Sequence, residues 1–170
     1  MSERNKHLTE AQQKAAAFLT RPKPDFEAWR DAQAAVEAKA LEKIKVGDTM
    51  SDGTIYAGIS PDTNERMYVA AKGEKIIMDF NEAAGYAATL DAHDHKDWRV
   101  PTKEELDVLF RNSEKGALKG TFTKTVSYPG DYYWSSMRSS DSLSWQQAFS
   151  NGQQYSRHWS SLAFVRCVRS

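Results

Sequence analysis

Apolar residues recur with a helical period in the first quarter of the chain and with a strand period in the last. Between residues 8 and 45, Leu8, Ala11, Ala15, Phe18 and Leu19 fall at helical spacing, and no strand pattern occurs. Pro22 and Pro24 interrupt that helix, because proline lacks the N–H and clashes with the preceding turn. Asp25 is placed to cap a second helix, with Trp29, Val36, Ala40 and Leu41 near one face. The stripe is thin, and helices gain most of their stability from packing. This segment is therefore expected to pack, on the domain that follows as the preferred reading, or else on a copy of itself.

The pattern changes at Lys45-Val46-Gly47-Asp48. Asp52-Gly53 is a turn signal, and Ile55, Ala57 and Ile59 then alternate against Tyr56 and Gly58 as in a strand. Turn residues at 60–64 lead to a return strand at Met67-Tyr68-Val69-Ala70, and a short strand is expected over 75–78. Two helices follow. Asp79 with Glu82, and Thr102 with Glu105, have capping-box spacing. Phe80, Ala83, Ala84, Ala87 and Leu90 give the first an apolar face; Leu106, Leu109 and Phe110 give the second its stripe.

From Tyr132 onward the elements shorten. Tyr133-Trp134-Ser135-Ser136 is one strand, and Leu143, Trp145, Gln147 and Phe149 alternate along the next. Asn151-Gly152 follows at once, a hairpin signal, so 153–159 is expected to be the return strand and 163–169 the last one. Alternate residues share a face. Trp145, Gln147 and Phe149 should then point together, with Trp145 and Phe149 toward the core and Ser144 and Gln146 outward. The expected organisation is an N-terminal helical appendage, residues 1–45, and an α+β domain, residues 46–170.

Composition narrows the function. Lysine plus arginine and aspartate plus glutamate both number 23, so the formal charge is zero, which argues against a general nucleic-acid binder. No apolar run reaches the ~20 residues needed to span a bilayer, and no apolar segment follows the positive residues near Met1 as in a signal peptide. The chain is expected to start in the cytoplasm. The single cysteine, Cys167, reads as a buried strand residue. Asp91-Ala92-His93-Asp94-His95-Lys96-Asp97 is the most metal-like stretch, but no distant Cys or His completes a ligand pattern. No metal, no cofactor and no catalytic residue is expected, and replacing His93 and His95 by alanine should leave stability unchanged.

The order of motifs is more specific than any one of them. Phe80-Asn81-Glu82-Ala83-Ala84 precedes Asp97-Trp98-Arg99-Val100-Pro101-Thr102-Lys103-Glu104-Glu105-Leu106. Then come Tyr133-Trp134-Ser135-Ser136, Trp145 with Ala148-Phe149-Ser150-Asn151-Gly152, and Val165-Arg166-Cys167-Val168-Arg169. Over residues 46–169 this resembles the Lcl C-terminal domain-like family, a domain of unknown function regarded as C-type-lectin-like. The resemblance implies an antiparallel sheet that holds the two ends together, with two flanking helices. It implies structural roles for Trp98, Trp134 and Trp145, and for Arg99 and Arg166 as ties between loops and the sheet. Calcium-dependent sugar binding is not implied, because Trp134-Ser135-Ser136 lacks the carboxylate and amide ligands of that site. A single cysteine also cannot supply the pair used by formylglycine-generating oxidases of the same fold class.

Residues 138–161 are rich in serine, asparagine, glutamine and tyrosine, with Arg157 and Trp159 among them. That is the chemistry of adaptable recognition surfaces. Ser144, Gln146, Tyr155, Arg157 and Trp159 are the expected ligand-binding residues, lining a shallow surface. The expected function is non-enzymatic recognition of a protein or cell-surface ligand. C-type-lectin-like domains diversified by retroelements vary this same stretch. The alternative is an assembly module of a phage or prophage particle, in which residues 1–45 form a homo-oligomer.

Overall fold

The computed structural model describes residues 25–71, 76–125 and 128–170, without the side chains at 37 and 40–42. The expected helix over 8–19 and the break at Pro22 and Pro24 lie outside the described residues. The chain divides into two compact units, Met1–Lys43 and Ile44–Ser170. In the first, helix α1 spans Phe26–Glu42. Asp25 caps it: its Oδ1 accepts from the Glu27 and Ala28 N–H groups at 3.1 and 3.0 Å. Phe26, Trp29 and Val36 are 67%, 60% and 65% exposed. Among the described residues no helix is long and apolar enough to cross a membrane.

The second unit is α+β. Strands β1 (Ile55–Ile59) and β2 (Arg66–Val69) form a hairpin, and the last strand, β8 (Val168–Arg169), pairs antiparallel with β2. The start and end of the unit therefore meet in one antiparallel sheet of order β1-β2-β8. A second sheet has the order β3-β7-β4-β5-β6, from β3 (Ile77–Met78), β4 (Tyr132–Arg138), β5 (Leu143–Ala148), β6 (Gln154–His158) and β7 (Ala163–Phe164). Its β4–β7 pair is parallel, through Tyr133 and Phe164, so this sheet is mixed rather than purely antiparallel.

Helices α2 (Phe80–Thr89) and α3 (Lys103–Asn112) both open on complete capping boxes, Asp79 with Glu82 and Thr102 with Glu105. The first satisfies three N–H groups, those of Asp79, Asn81 and Glu82, and the second two, those of Thr102 and Glu105. Two apolar clusters fill the unit. One joins Leu106 and Leu109 of α3 to Ile55, Met67, Tyr133 and Phe149; the other joins Ala83 and Ala87 of α2 to Trp98, Val100 and Trp134. Trp134 sits at the centre of the second, with Nε1 donating to the Met78 carbonyl at 3.0 Å and Phe80 edge-on at 5.6 Å. Cys167 is buried in that cluster. Trp145 is only half-buried, under the Lys103 Nζ at 4.1 Å from its ring centre.

Two local expectations are corrected. In β1 the alternation fails at a bulge between Tyr56 and Gly58, and Ile59 is exposed. Gly58 has φ +128°, and a Cβ there would meet Val108 and Asn112 of α3 at 2.9 Å. The helix thus approaches the backbone itself, and Asn112 Nδ2 donates to the Ala57 carbonyl at 2.8 Å. Asn151-Gly152 is not a two-residue hairpin turn either. Strand β5 ends at Ala148 and β6 begins at Gln154, so the pair sits inside a longer loop. The Gly152 N–H donates to the Ala148 carbonyl at 2.8 Å. At φ +79° it lies against the Phe110 ring, where a side chain would collide.

Candidate functional site

The register of the β4–β5–β6 meander sets which side chains meet. Gln146 lies opposite Trp134 on one side and Tyr155 on the other; Ser144 lies opposite Arg138 and Arg157. Directly opposed residues share a face. Ser144, Gln146, Tyr155 and Arg157 are therefore neighbours, as the sequence suggests, but not all are at the surface. Ser144 is 0% and Gln146 1% exposed, which overturns the expectation that both point outward. The reason is position in the sheet. β5 has a partner strand on each side, α3 covers its Trp145–Gln147 face, and Trp134 and Tyr155 flank its other face. Small and medium side chains in an interior strand are buried between larger neighbours on the flanking strands, so alternation alone does not expose them.

Tyr155 and Trp159 are half-buried and Arg157 is exposed. Trp159 lies just beyond β6, where its N–H donates to the Ser142 carbonyl at 3.1 Å and its carbonyl accepts from Phe80 N–H at 3.0 Å. That contact anchors the turn after β6 to the start of α2. The His158 ring lies 5.2 Å from Trp159, and its Nδ1 shares a hydrogen with Ser160 Oγ at 2.7 Å.

The structure adds two rings that the sequence reading did not single out. Tyr128 and Tyr132 are 5.3 Å apart, Tyr132 and Tyr155 are 5.6 Å apart, and the Arg157 guanidinium stands 5.7 Å over Tyr155. The result is a continuous row, Tyr128–Tyr132–Tyr155–Arg157. Its sequence signal was present: Tyr128 and Tyr132 flank the Pro129-Gly130 turn, and Tyr132 has the same parity as Trp134. A hollow of about 250 Å³ opens at Tyr128, Arg157 and Ser161. Beneath the row, Ser144 Oγ and both polar atoms of the Gln146 amide have no hydrogen-bond partner among the described residues. Buried polar atoms of this kind are uncommon and call for an explanation.

The motif around Arg99 builds a second polar centre. Glu105 is fully buried and accepts four hydrogen bonds. Arg99 gives two, at 2.6 and 2.7 Å; Ser60 Oγ and the Thr102 N–H give one each, at 2.6 and 2.9 Å. Burial pushes the carboxyl up, but these donors outweigh it and hold it below its ordinary value. The pairing likewise raises the guanidinium of Arg99. Arg166 donates to the Ala70 carbonyl at 2.7 Å. Both arginines thus tie segments distant in sequence.

His93 and His95 are not part of a plain solvated loop. Ala71 N–H donates to His93 Nε2 at 3.3 Å, so Nε2 is the acceptor and Nδ1 carries the proton toward the Asp52 carbonyl at 3.0 Å. His95 Nε2 lies 2.9 Å from Asp52 Oδ2. Burial acts to raise the Asp52 carboxyl, but hydrogen bonds from Thr54 and His95 bring it down to about 2. The two rings clamp the 91–97 loop to the Asp52-Gly53 turn. Among the described residues no group of three or more His, Cys, Asp or Glu is placed to hold a metal ion.

Capped helices packed on two small curled sheets, with a polar and aromatic face on β4–β6, define an α+β domain. Residues 9–169 match the Lcl C-terminal domain, and the chain belongs to that family. The match begins well before residue 46, so it takes in much of the N-terminal segment that the motifs alone left outside. No curated protein matches the chain significantly in sequence.

Proposed function

We propose that this protein is a non-enzymatic binding module of C-type-lectin-like fold that recognises a protein or cell-surface ligand through the outer face of β4, β5 and β6. The observation that carries the reading is the Tyr128–Tyr132–Tyr155–Arg157 row, beside a shallow hollow and above the unpartnered Gln146 amide. Tyrosine and arginine dominate binding energetics because they present large, stiff, amphipathic area. Trp159 extends the face at the turn after β6. Ser144 and Gln146 contribute as its polar floor rather than as surface contacts. The pairing of β2 with β8, which joins the ends of the unit, supports the lectin-like fold. A near-copy of the DNA encoding residues 138–161, beside a reverse transcriptase gene, is the expected mark of diversification.

The test is an array of proteins and glycans probed with the wild type and with Tyr128→Ser/Tyr155→Ser/Arg157→Ser. The reading expects wild-type signals that the triple variant loses while keeping its melting temperature. No wild-type signal, or signals unchanged in the variant, would refute it.

One observation favours an assembly module as a second reading. Phe26, Trp29 and Val36 of α1 are exposed at spacings of three and seven residues, and a helix with such a stripe gains by burying it against a copy. Light scattering on the full chain decides between them: a monomer removes the second reading, and a trimer that Trp29→Glu dissociates supports it.

A further inference from the structure

A cleft of about 690 Å³ lies away from β5 and β6, between α2, the approach to α3, and the middle of β4. That volume is typical of sites for small organic molecules. Its wall is apolar: Phe80, Ala84, Ala87 and Ala88 from α2, with Trp98 and Val100 opposite. Ala84 and Ala88 are exposed and end at Cβ, so the helix presents a trough there instead of side chains that would fill it. Ser135 and Ser136 add hydroxyl groups on the strand side.

The mouth carries a net negative charge. Within the lining, Arg99 and Glu105 form a bidentate pair and cancel. Asp62 and Glu65, from the turn between β1 and β2, remain. Both are exposed, and neither forms an ion pair with a described residue, although the Arg99 guanidinium that Glu105 neutralises lies near enough to attract both. Asp62 is held in place by the Thr102 hydroxyl, which donates to its Oδ2 at 2.5 Å. Thr102 is in turn fixed as the cap of α3. The carboxylate is thus positioned by the same network that buries Glu105. An apolar trough whose rim carries two carboxylates in excess of its one paired guanidinium complements an apolar body with a cationic end.

We propose that this cleft binds a small amphipathic amine, its apolar part against Ala84, Ala88 and Phe80 and its ammonium group between Asp62 and Glu65. The site is independent of the face of β6, and the two readings stand or fall separately. An anionic analogue of the same shape would meet the carboxylates unfavourably, so the cleft selects by charge as well as by size.

The test uses two fluorescent probes on the full chain. Dansylcadaverine carries the amine, and N-dansyl-6-aminohexanoate carries a carboxylate on a similar chain. The amine is expected to bind saturably and at least about fivefold tighter than the acid, with the preference shrinking at high salt. Ala84→Phe fills the trough from a solvent-facing helix position and should abolish amine binding without lowering the melting temperature. Asp62→Asn/Glu65→Gln should keep the shape and remove the preference between probes. Tyr155→Ser/Arg157→Ser should change neither. Equal binding of both probes, absence of saturable binding, or amine binding that survives Ala84→Phe would overturn the proposal.

Discussion

Removing the Glu105 carboxylate should destabilise the second unit severely. The group is fully buried, and Glu105→Ala leaves Arg99, Ser60 Oγ and the Thr102 N–H without their shared acceptor. Breaking a buried ion pair from one side costs about 3–5 kcal/mol. The Arg99 side chain is more than a third exposed, so it regains some hydration, and the loss should fall near the lower end, about 3 kcal/mol. Part of that is the capping box, whose reciprocal bond to Thr102 N–H disappears. Glu105→Gln keeps the volume but must turn an NH₂ group toward a guanidinium or a peptide N–H. It should cost about 2 kcal/mol.

Thermal melting followed by circular dichroism would show the alanine variant about 10 °C below wild type. The pH dependence identifies the charge as the cause. The folded carboxyl titrates below its ordinary 4.5, so its contribution is complete above that pH and is lost as pH falls through the folded value. The gap between wild type and Glu105→Gln should therefore narrow below about pH 4.5. A glutamine variant that melts within 2 °C of wild type, on the order of the scatter of such scans, or a gap that is constant down to pH 3, would refute the argument.

Trp134→Ala empties the centre of the second cluster and strands the Met78 carbonyl; chemical denaturation should show a loss of about 3–5 kcal/mol, and an unchanged midpoint would mean the ring is not core. The expectation that His93 and His95 can be replaced without loss is revised: His93→Ala removes two hydrogen bonds and should cost about 1–2 kcal/mol, equally with zinc or with a chelator, as read by melting in each. Asp52, brought down to about 2 from 3.8, stabilises the fold above pH 4 and loses that effect as pH falls toward 2; Asp52→Asn should flatten this part of an acid titration followed by tryptophan fluorescence.

Local chemistry was legible in the sequence wherever it decides structure by itself. Both capping boxes formed because Asp79, Glu82, Thr102 and Glu105 need only each other's backbone. Trp98 and Trp134 are core because their large rings gain most from burial and each indole N–H reaches a backbone carbonyl. Features set by what packs from elsewhere could not be read. The bulge at Gly58 exists because α3 comes close enough to place Asn112 on the Ala57 carbonyl, a contact 55 residues away. Ser144 and Gln146 alternate correctly with Trp145 and Gln147, yet alternation separates outside from inside only where one face of a sheet meets water. The order β4-β5-β6, which puts β5 in the interior, is tertiary information. For the same reason Tyr128 and Tyr132 joined the binding face only once the strand register was known.

The two glutamines of β5 put the proposed binding face to a direct test. Gln147 faces α3 and is well partnered: its Nε2 donates to the Gly152 carbonyl at 3.0 Å and to Asp107 at 3.3 Å, and its Oε1 accepts from Gln154 at 3.4 Å. Gln146, one residue earlier and equally buried, has none among the described residues. Replacing a buried polar group whose partners are absent by an apolar one of similar shape is neutral or stabilising, whereas replacing a partnered one leaves its partners bare. Gln147→Met should therefore destabilise by about 2 kcal/mol. Gln146→Met should leave stability unchanged or raise it by about 1 kcal/mol. A residue that costs stability and still serves a surface is expected where function retains it, so Gln146→Met should also weaken whatever array signal the Tyr155 and Arg157 substitutions abolish. Urea unfolding of both variants decides the first part. If Gln146→Met is destabilised as much as Gln147→Met, its amide has partners in solution, and the polar floor beneath Tyr155 is part of the fold rather than of the site.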